Sequence, residues 1–206
     1  MAAATAGYLL GTVPSADVAA RIATGGAVDL RTAGSGNPGG ANAVKVLGKS
    51  WGYGVMAADI AKATAACGLG RRLAGSRGAH VAGTMSVIGH CFPVWNGFRG
   101  GKGVACSVGQ CLATFPAYFP IDLGVAALTS TRRWRSRSYA ATAAASVTWV
   151  LGALLWWRRG WRNGWGPRPD RDLVVAAATS SAVILYKFAS APAVPSAGGS
   201  TSGEGA

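Results

Sequence analysis

An all-α, polytopic membrane helix bundle of about six to seven transmembrane helices, some of them short, is the fold class this sequence predicts. Three observations predict it. Half of the 206 residues are apolar and only 13% are charged, well below the share in an ordinary soluble domain. The apolar residues gather into runs, several near the ~20 residues a helix needs to cross a bilayer. The cations behind the formal net charge of +13 lie in short clusters between those runs, as Lys and Arg do in loops that meet anionic headgroups.

In chain order the runs cover residues 2–22, 52–70, 79–94, 104–128, 139–157 and 173–191. The first has no basic leader and flows straight into a glycine-rich stretch, so it reads as a retained first span and not a cleaved signal peptide. The second carries Asp59 and Lys62, three residues apart and therefore on one helix face, where pairing lowers the cost of placing two ions in a membrane. Arg71, Arg72 and Arg77 divide it from the third. Pro116 and Pro120 interrupt the fourth and split it into two short helices or a re-entrant turn. Arg132, Arg133, Arg135 and Arg137 precede the fifth, and five further arginines between Arg158 and Arg171 follow it. Trp149, Trp156, Trp157, Trp161 and Trp165 around the end of that run read as an interfacial aromatic belt.

These runs make one membrane domain over residues 1–190. The tail, 191–206, is rich in Pro, Gly, Ser and Ala and buries too little apolar area to order itself. No internal repeat is evident, which weakens a transporter or channel reading of Asp59 and Lys62. Counting the fourth run as two spans and leaving the N-terminus outside sets both glycine-rich stretches on the cytoplasmic side, and the distribution of Lys and Arg slightly favours that orientation. Nucleic acid is excluded as the main partner, because the cations border apolar sequence and do not line a basic groove. Cys67, Cys91, Cys106 and Cys111 lack metal-ligand spacing and read as small buried hydrophobes.

Chemistry concentrates in the two glycine-rich stretches. The first runs from Arg31 through Gly34, Ser35, Gly36, Asn37, Pro38, Gly39, Gly40 and Asn42 to Lys45 and Lys49. Glycine there turns backbone N–H groups toward an anion, Ser and Asn add neutral donors, and Lys adds charge. The second follows a span ending in Gly89, His90, Phe92 and Pro93, and reads Phe98, Arg99, Gly100, Gly101, Lys102, Gly103, Val104 at the start of the next helix. A helix N-terminus beside a lysine is a ready anion site. The pair reads as a phosphate site at a membrane surface.

The ordered pattern S-G-N-P-G-x-x-N, then D-x-x-K, then H-x-F-P-V with G-G-K-G-V-A resembles the bacterial acyl-phosphate:glycerol-3-phosphate acyltransferase family, closely from about Tyr8 to Ala105 and more loosely to about Lys187. That resemblance implies transfer of a fatty acyl chain from acyl phosphate to the 1-hydroxyl of glycerol 3-phosphate, giving lysophosphatidic acid for phospholipid synthesis. It implies a multi-pass cell-membrane enzyme with a cytoplasm-facing site, whose partners are glycerol 3-phosphate, acyl phosphate and membrane lipids. No metal or organic cofactor is expected, because acyl phosphate is already activated. Carried over by motif, Ser35, Lys102 and His90 take the catalytic positions. Gly36, Asn37, Asn42, Lys45, Gly100, Gly101, Gly103 and Ser138 take the substrate-binding ones.

Two positions depart from the family pattern. Lys45 stands where the family usually has Arg, keeping the charge and losing the bidentate fork. The family's C-terminal motif contains His and Asn, and neither residue occurs here after Arg171; Tyr186, Lys187 and Ser190 are the polar residues available in their place. The rival reading is a non-catalytic or regulatory paralogue that binds phosphate ligands at the membrane.

Overall fold

A computed structural model describes residues 1–129 and 138–190 of the chain. They form helices α1 (Ala2–Gly11), α2 (Ser15–Thr24), α3 (Gly40–Val46), α4 (Lys49–Cys91), α5 (Val104–Thr114), α6 (Phe119–Thr129), α7 (Ser138–Arg159) and α8 (Arg171–Ala189), with no strand among the described residues. The expected tail and the Arg132–Arg137 cluster lie outside the described residues.

The second and third apolar runs join in α4, which reverses direction at Ala74 and Gly75. Gly75 adopts φ 62°, and the two arms, residues 49–73 and 76–91, lie back to back. Where they cross, Gly70 and Gly78 bring their backbones together in a contact that a Cβ would obstruct. Around this hairpin the other helices assemble. Gly7 and Gly11, one turn apart on α1, sit directly on the backbone of Ala82 and Ser86, so α1 runs parallel to the second arm. α5 packs between the arms, with Gly109 against Ile60 and Ala63. A buried chain, Thr84 accepting from Gln110 Nε2 (3.3 Å) and Gln110 Oε1 accepting from Ser180 (2.8 Å), ties the second arm, α5 and α8.

The first apolar run is not one span. Pro14 cannot continue a helix with its missing N–H, and the chain turns there from α1 into α2. α2 packs through Ala16, Ala19 and Ala20 on Leu30, Ala43 and Val55, and so caps the end of the bundle. The proline pair of the fourth run ends α5 at Thr114 and starts α6 at Phe119, as expected. Trp149 departs from the expected aromatic belt: it is buried with Phe115, Tyr118 and Leu173, whereas Trp161 and Trp165 remain exposed at the bundle end opposite the glycine-rich loops. All four cysteines are buried and free, as expected.

Residues 139–159 and α8 are long and apolar enough to cross a membrane, and α5 is apolar but shorter. α7 turns Val147, Leu151 and Leu155 outward, 40–58% exposed, an apolar face suited to lipid and not to water. α1, the second arm and α8 finish at one end of the bundle, where the first arm and α5 begin. Both glycine-rich loops meet there.

Candidate functional site

That end holds a cleft of about 280 Å³, whose lining includes Asp17, Arg31, Pro38, Asp59, His90, Asn96, Gly100 and Gly101. They come from α2, both glycine-rich loops and both arms of α4, and a few polar contacts hold them in register.

The first loop is shaped by Asn42. Its buried side chain donates from Nδ2 to the carbonyls of Leu30 (3.0 Å) and Ala33 (2.9 Å), and Oδ1 accepts the Ser35 N–H (2.8 Å). With those bonds committed to the loop, Asn42 is a positioning residue and not the substrate donor the sequence suggests. Gly36 supplies a left-handed turn (φ 68°) and bonds its N–H to Ala33 O (3.2 Å). Ser35 and Asn37 are half-buried in this loop and Lys45 is exposed on the last turn of α3; the cleft lining includes none of the three.

A clamp joins the first loop to the second. Arg31 forks onto Asp17 of α2, Nη1 to Oδ1 at 2.6 Å and Nη2 to Oδ2 at 2.9 Å, while its Nε donates to Arg99 O (3.3 Å). Asn96 Nδ2 reaches the same carboxylate at 3.1 Å. The hydrogen bond that Arg31 donates to Asp17, before all else, raises the guanidinium above its ordinary pKa. Trp95 Nε1 donating to Thr12 (3.0 Å) and Tyr8 hydroxyl donating to Phe92 O (2.8 Å) brace the second loop against α1.

Beneath the cleft lies a buried trio. Lys62 Nζ is 2.8 Å from Asp59 Oδ1, donates to Val13 O at 2.8 Å and lies 3.1 Å from His90 Nδ1. The same Nδ1 lies 3.5 Å from Asp59 Oδ1, so one ring nitrogen faces both the ammonium and the carboxylate. Nε2 sits against Gly101, where any side chain would strike the imidazole. Asp59, His90 and Cys106 bring one potential metal ligand each within 4.8 Å of one another. The Lys62 ammonium packs against both Asp59 Oδ1 and His90 Nδ1, so the Asp59 charge is balanced within the group.

In the second loop the glycines act differently from the sequence expectation. The N–H groups of Gly100 and Gly101 bond to the carbonyls of Cys91 (3.2 Å) and His90 (3.1 Å), closing the end of α4. They allow close packing and do not aim at an anion. The donors left are those of α5, whose first turn begins after Gly103 (φ 84°) and has no earlier carbonyl of its own helix to bond. Lys102 stands beside that turn, half-buried, with Nζ 4.2 Å above the Phe188 ring of α8. Burial first, and the neighbouring Lys187 charge second, lower its pKa below that of an ordinary lysine.

From Val104 onward a second hollow opens among α5, α6, α7 and α8, lined by Val104, Val108, Ala141, Ala145, Trp149 and Ile184 with Ser107, Asp122, Thr142 and Ser146. Ser138 opens α7, and its side chain lies outside the described residues.

The cleft thus brings His90, Gly100 and Gly101 together as the motifs suggest, with Lys102 and Gly103 just beyond it. Sequence reasoning missed Asp17, Arg31 and Asn96 as members. The signals were present: an acid inside an apolar run, an arginine opening the first motif and an amide inside the second.

The family model described as "Glycerol-3-phosphate acyltransferase" matches residues 1–193. The chain is 40% identical over 160 residues to the glycerol-3-phosphate acyltransferase of Maricaulis maris (strain MCS10), covering 77% of this chain and 71% of that one. It is 42% identical over 184 residues to the Bacillus cytotoxicus protein of the same name, covering 87% and 83%. Among solved structures it is similar to PlsY (YgiH), an integral membrane glycerol 3-phosphate acyltransferase. For the glycerol 3-phosphate form the TM-score is 0.70 at 29% identity, covering 91% of this chain and 86% of that one. For the lysophosphatidic acid form the TM-score is 0.68 at 27% identity, covering 90% and 86%.

Proposed function

The chain belongs to the glycerol-3-phosphate acyltransferase family, and from that premise we propose that its motif-bearing end moves an acyl group from acyl phosphate to the 1-hydroxyl of glycerol 3-phosphate, with the site facing the cytoplasm. The enzyme is an integral membrane acyltransferase, and its product is lysophosphatidic acid.

One observation supports the division of labour most: a cleft with polar walls reaches Gly100 and Gly101, and a largely apolar cavity begins at Val104, three residues on. The cleft, with Arg31, Asn96 and His90 in its walls, suits the small polar acceptor. The cavity, with its largely apolar lining, suits part of an acyl chain. Lys102 and the start of α5 stand between them, where an acyl phosphate would present its anion. The acceptor hydroxyl oxygen attacks the acyl carbon, the carbon–oxygen bond to phosphate breaks, and the phosphate leaves with the hydroxyl proton. An activated donor leaves the protein to position the two reactants, screen their phosphates and stabilise the oxyanion.

His90 forms part of the cleft wall, and the departing phosphate is the base. Expression of the chain in a bacterial strain lacking its own acyl-phosphate-dependent acyltransferase tests the reading. Rescue of growth by the wild-type chain, lost in Lys102→Ala, is the expected result. No rescue despite verified membrane insertion, with glycerol 3-phosphate still bound, would favour the non-catalytic paralogue.

A further inference from the structure

The C-terminal helix carries a lysine that the proposed function leaves unused. Lys187 lies on the last turn of α8, half-buried, with Nζ 5.0 Å above the Phe92 ring at the end of α4. One residue on, Phe188 carries the Lys102 ammonium on its face at 4.2 Å. The two lysines therefore reach one neighbourhood from the second glycine-rich loop and from α8, each held on an aromatic ring. Among the described residues neither forms an ion pair with a carboxylate.

With Lys102 seated on the ring of the residue next to Lys187, two half-buried ammonium groups share one neighbourhood without a carboxylate partner among the described residues, and they repel. The nearest fixed dipole deepens the demand. Gly103, which starts α5, packs on Cys91 and on Ile184, one turn before Phe188, so the positive end of α5 faces the same region. Three sources of positive potential with no negative partner describe a place built for an anion that arrives with the substrate. The apolar cavity begins at Val104 and Ile184, the same two elements.

We infer that Lys187 is a phosphate-contacting residue that completes, with Lys102 and the start of α5, the anion site of the reaction, in the helix where the family's His and Asn are missing. The ligand chemistry is a phosphate group, from the acyl phosphate or from glycerol 3-phosphate. This inference rests on the acyltransferase reading for its substrate and on the lysine pair for its geometry.

The test uses full-length protein purified in detergent, as wild type, Lys187→Met and Lys187→Arg. Methionine keeps an apolar stem against Phe92 and removes the charge; arginine restores it. KM is measured for acyl phosphate at saturating glycerol 3-phosphate and then with the roles exchanged, and inorganic phosphate binding is measured by calorimetry without turnover. A lost charge-assisted contact predicts that Lys187→Met raises one of the two KM values and the phosphate Kd by about tenfold or more, with Lys187→Arg within about threefold of wild type. The KM that rises identifies which substrate's phosphate Lys187 holds. Equal KM values and equal phosphate binding in wild type and Lys187→Met would overturn the inference, and so would a wild-type chain that binds no phosphate. A chain that binds phosphate through Lys187 without turning over would overturn the acyltransferase reading alone.

Discussion

The two ends of this bundle are both rich in cations, and those around the cleft are held differently from Arg71 and Arg77 at the other end. At the end opposite the loops, Arg77 is 81% exposed and reaches Asp172 only at 3.8 Å, and Arg71 donates to Trp165 O at a long 3.3 Å. At the loop end, Arg31 is forked onto Asp17, Lys62 is enclosed with Asp59 and His90, and Lys102 and Lys187 ride on aromatic rings. Loose cations suit headgroups, which move. Fixed, half-desolvated cations suit a reacting group that must be held within a fraction of an ångström. Net charge therefore marks the membrane, and the bracing of individual charges marks the chemistry.

Substitutions at the two ends should separate accordingly. The largest effect is expected from Asp59→Asn, which leaves the Lys62 ammonium uncompensated beneath the cleft. Loss of about 3–5 kcal/mol of stability is expected, read as a large fall in unfolding temperature in detergent; an unchanged transition would mean that the trio does not act as an ion pair. Next is Lys102→Ala, expected to lower kcat/KM by on the order of 2–4 kcal/mol of transition-state stabilisation with expression intact. Near-normal rates would remove Lys102 from the anion site.

Asp17→Asn is smaller. It weakens the fork on Arg31 in a pair that is a quarter to a third exposed, and about 1 kcal/mol is expected. The readout is a rise in KM for glycerol 3-phosphate that exceeds any fall in unfolding temperature. The smallest effect belongs to the opposite end: Arg77→Ala should change stability by less than about 0.5 kcal/mol and leave turnover unaltered. A loss of activity there would break the contrast between the ends. The pH profile sharpens it further. Because burial and Lys187 lower the pKa of Lys102, its charge is lost at lower pH than that of an ordinary lysine, so kcat/KM should fall on the alkaline side below that range. Lys102→Arg, if active, should move that limb upward.

Much of this was legible in the sequence, for identifiable reasons. Apolar run length, the proline pair at Pro116 and Pro120, and the i, i+3 spacing of Asp59 and Lys62 are local signals, and the structure follows them. The break at Pro14 was equally local, yet the apolar run across it disguised two helices as one span. What the sequence could not reveal is which hydrogen-bonding capacity is already used. Asn42 looks like a ligand donor until its bonds to Leu30, Ala33 and Ser35 are seen. Gly100 and Gly101 look like an anion nest until their N–H groups are found on the end of α4. Asp17, Arg31 and Asn96 join only through tertiary contact across as many as 79 residues of chain. Trp149 was misplaced because an indole at the end of an apolar run fits a core as well as a belt.

Acyl transfer by the purified chain tests the central claim most directly. With protein in detergent, acyl phosphate and radiolabelled glycerol 3-phosphate, the account predicts labelled lysophosphatidic acid acylated at the 1-hydroxyl, release of one inorganic phosphate per ester formed, no product without donor, and almost none with Lys102→Ala. Absence of labelled lysophosphatidic acid from folded wild-type protein that binds both substrates, or equal yields from wild type and Lys102→Ala, would contradict it.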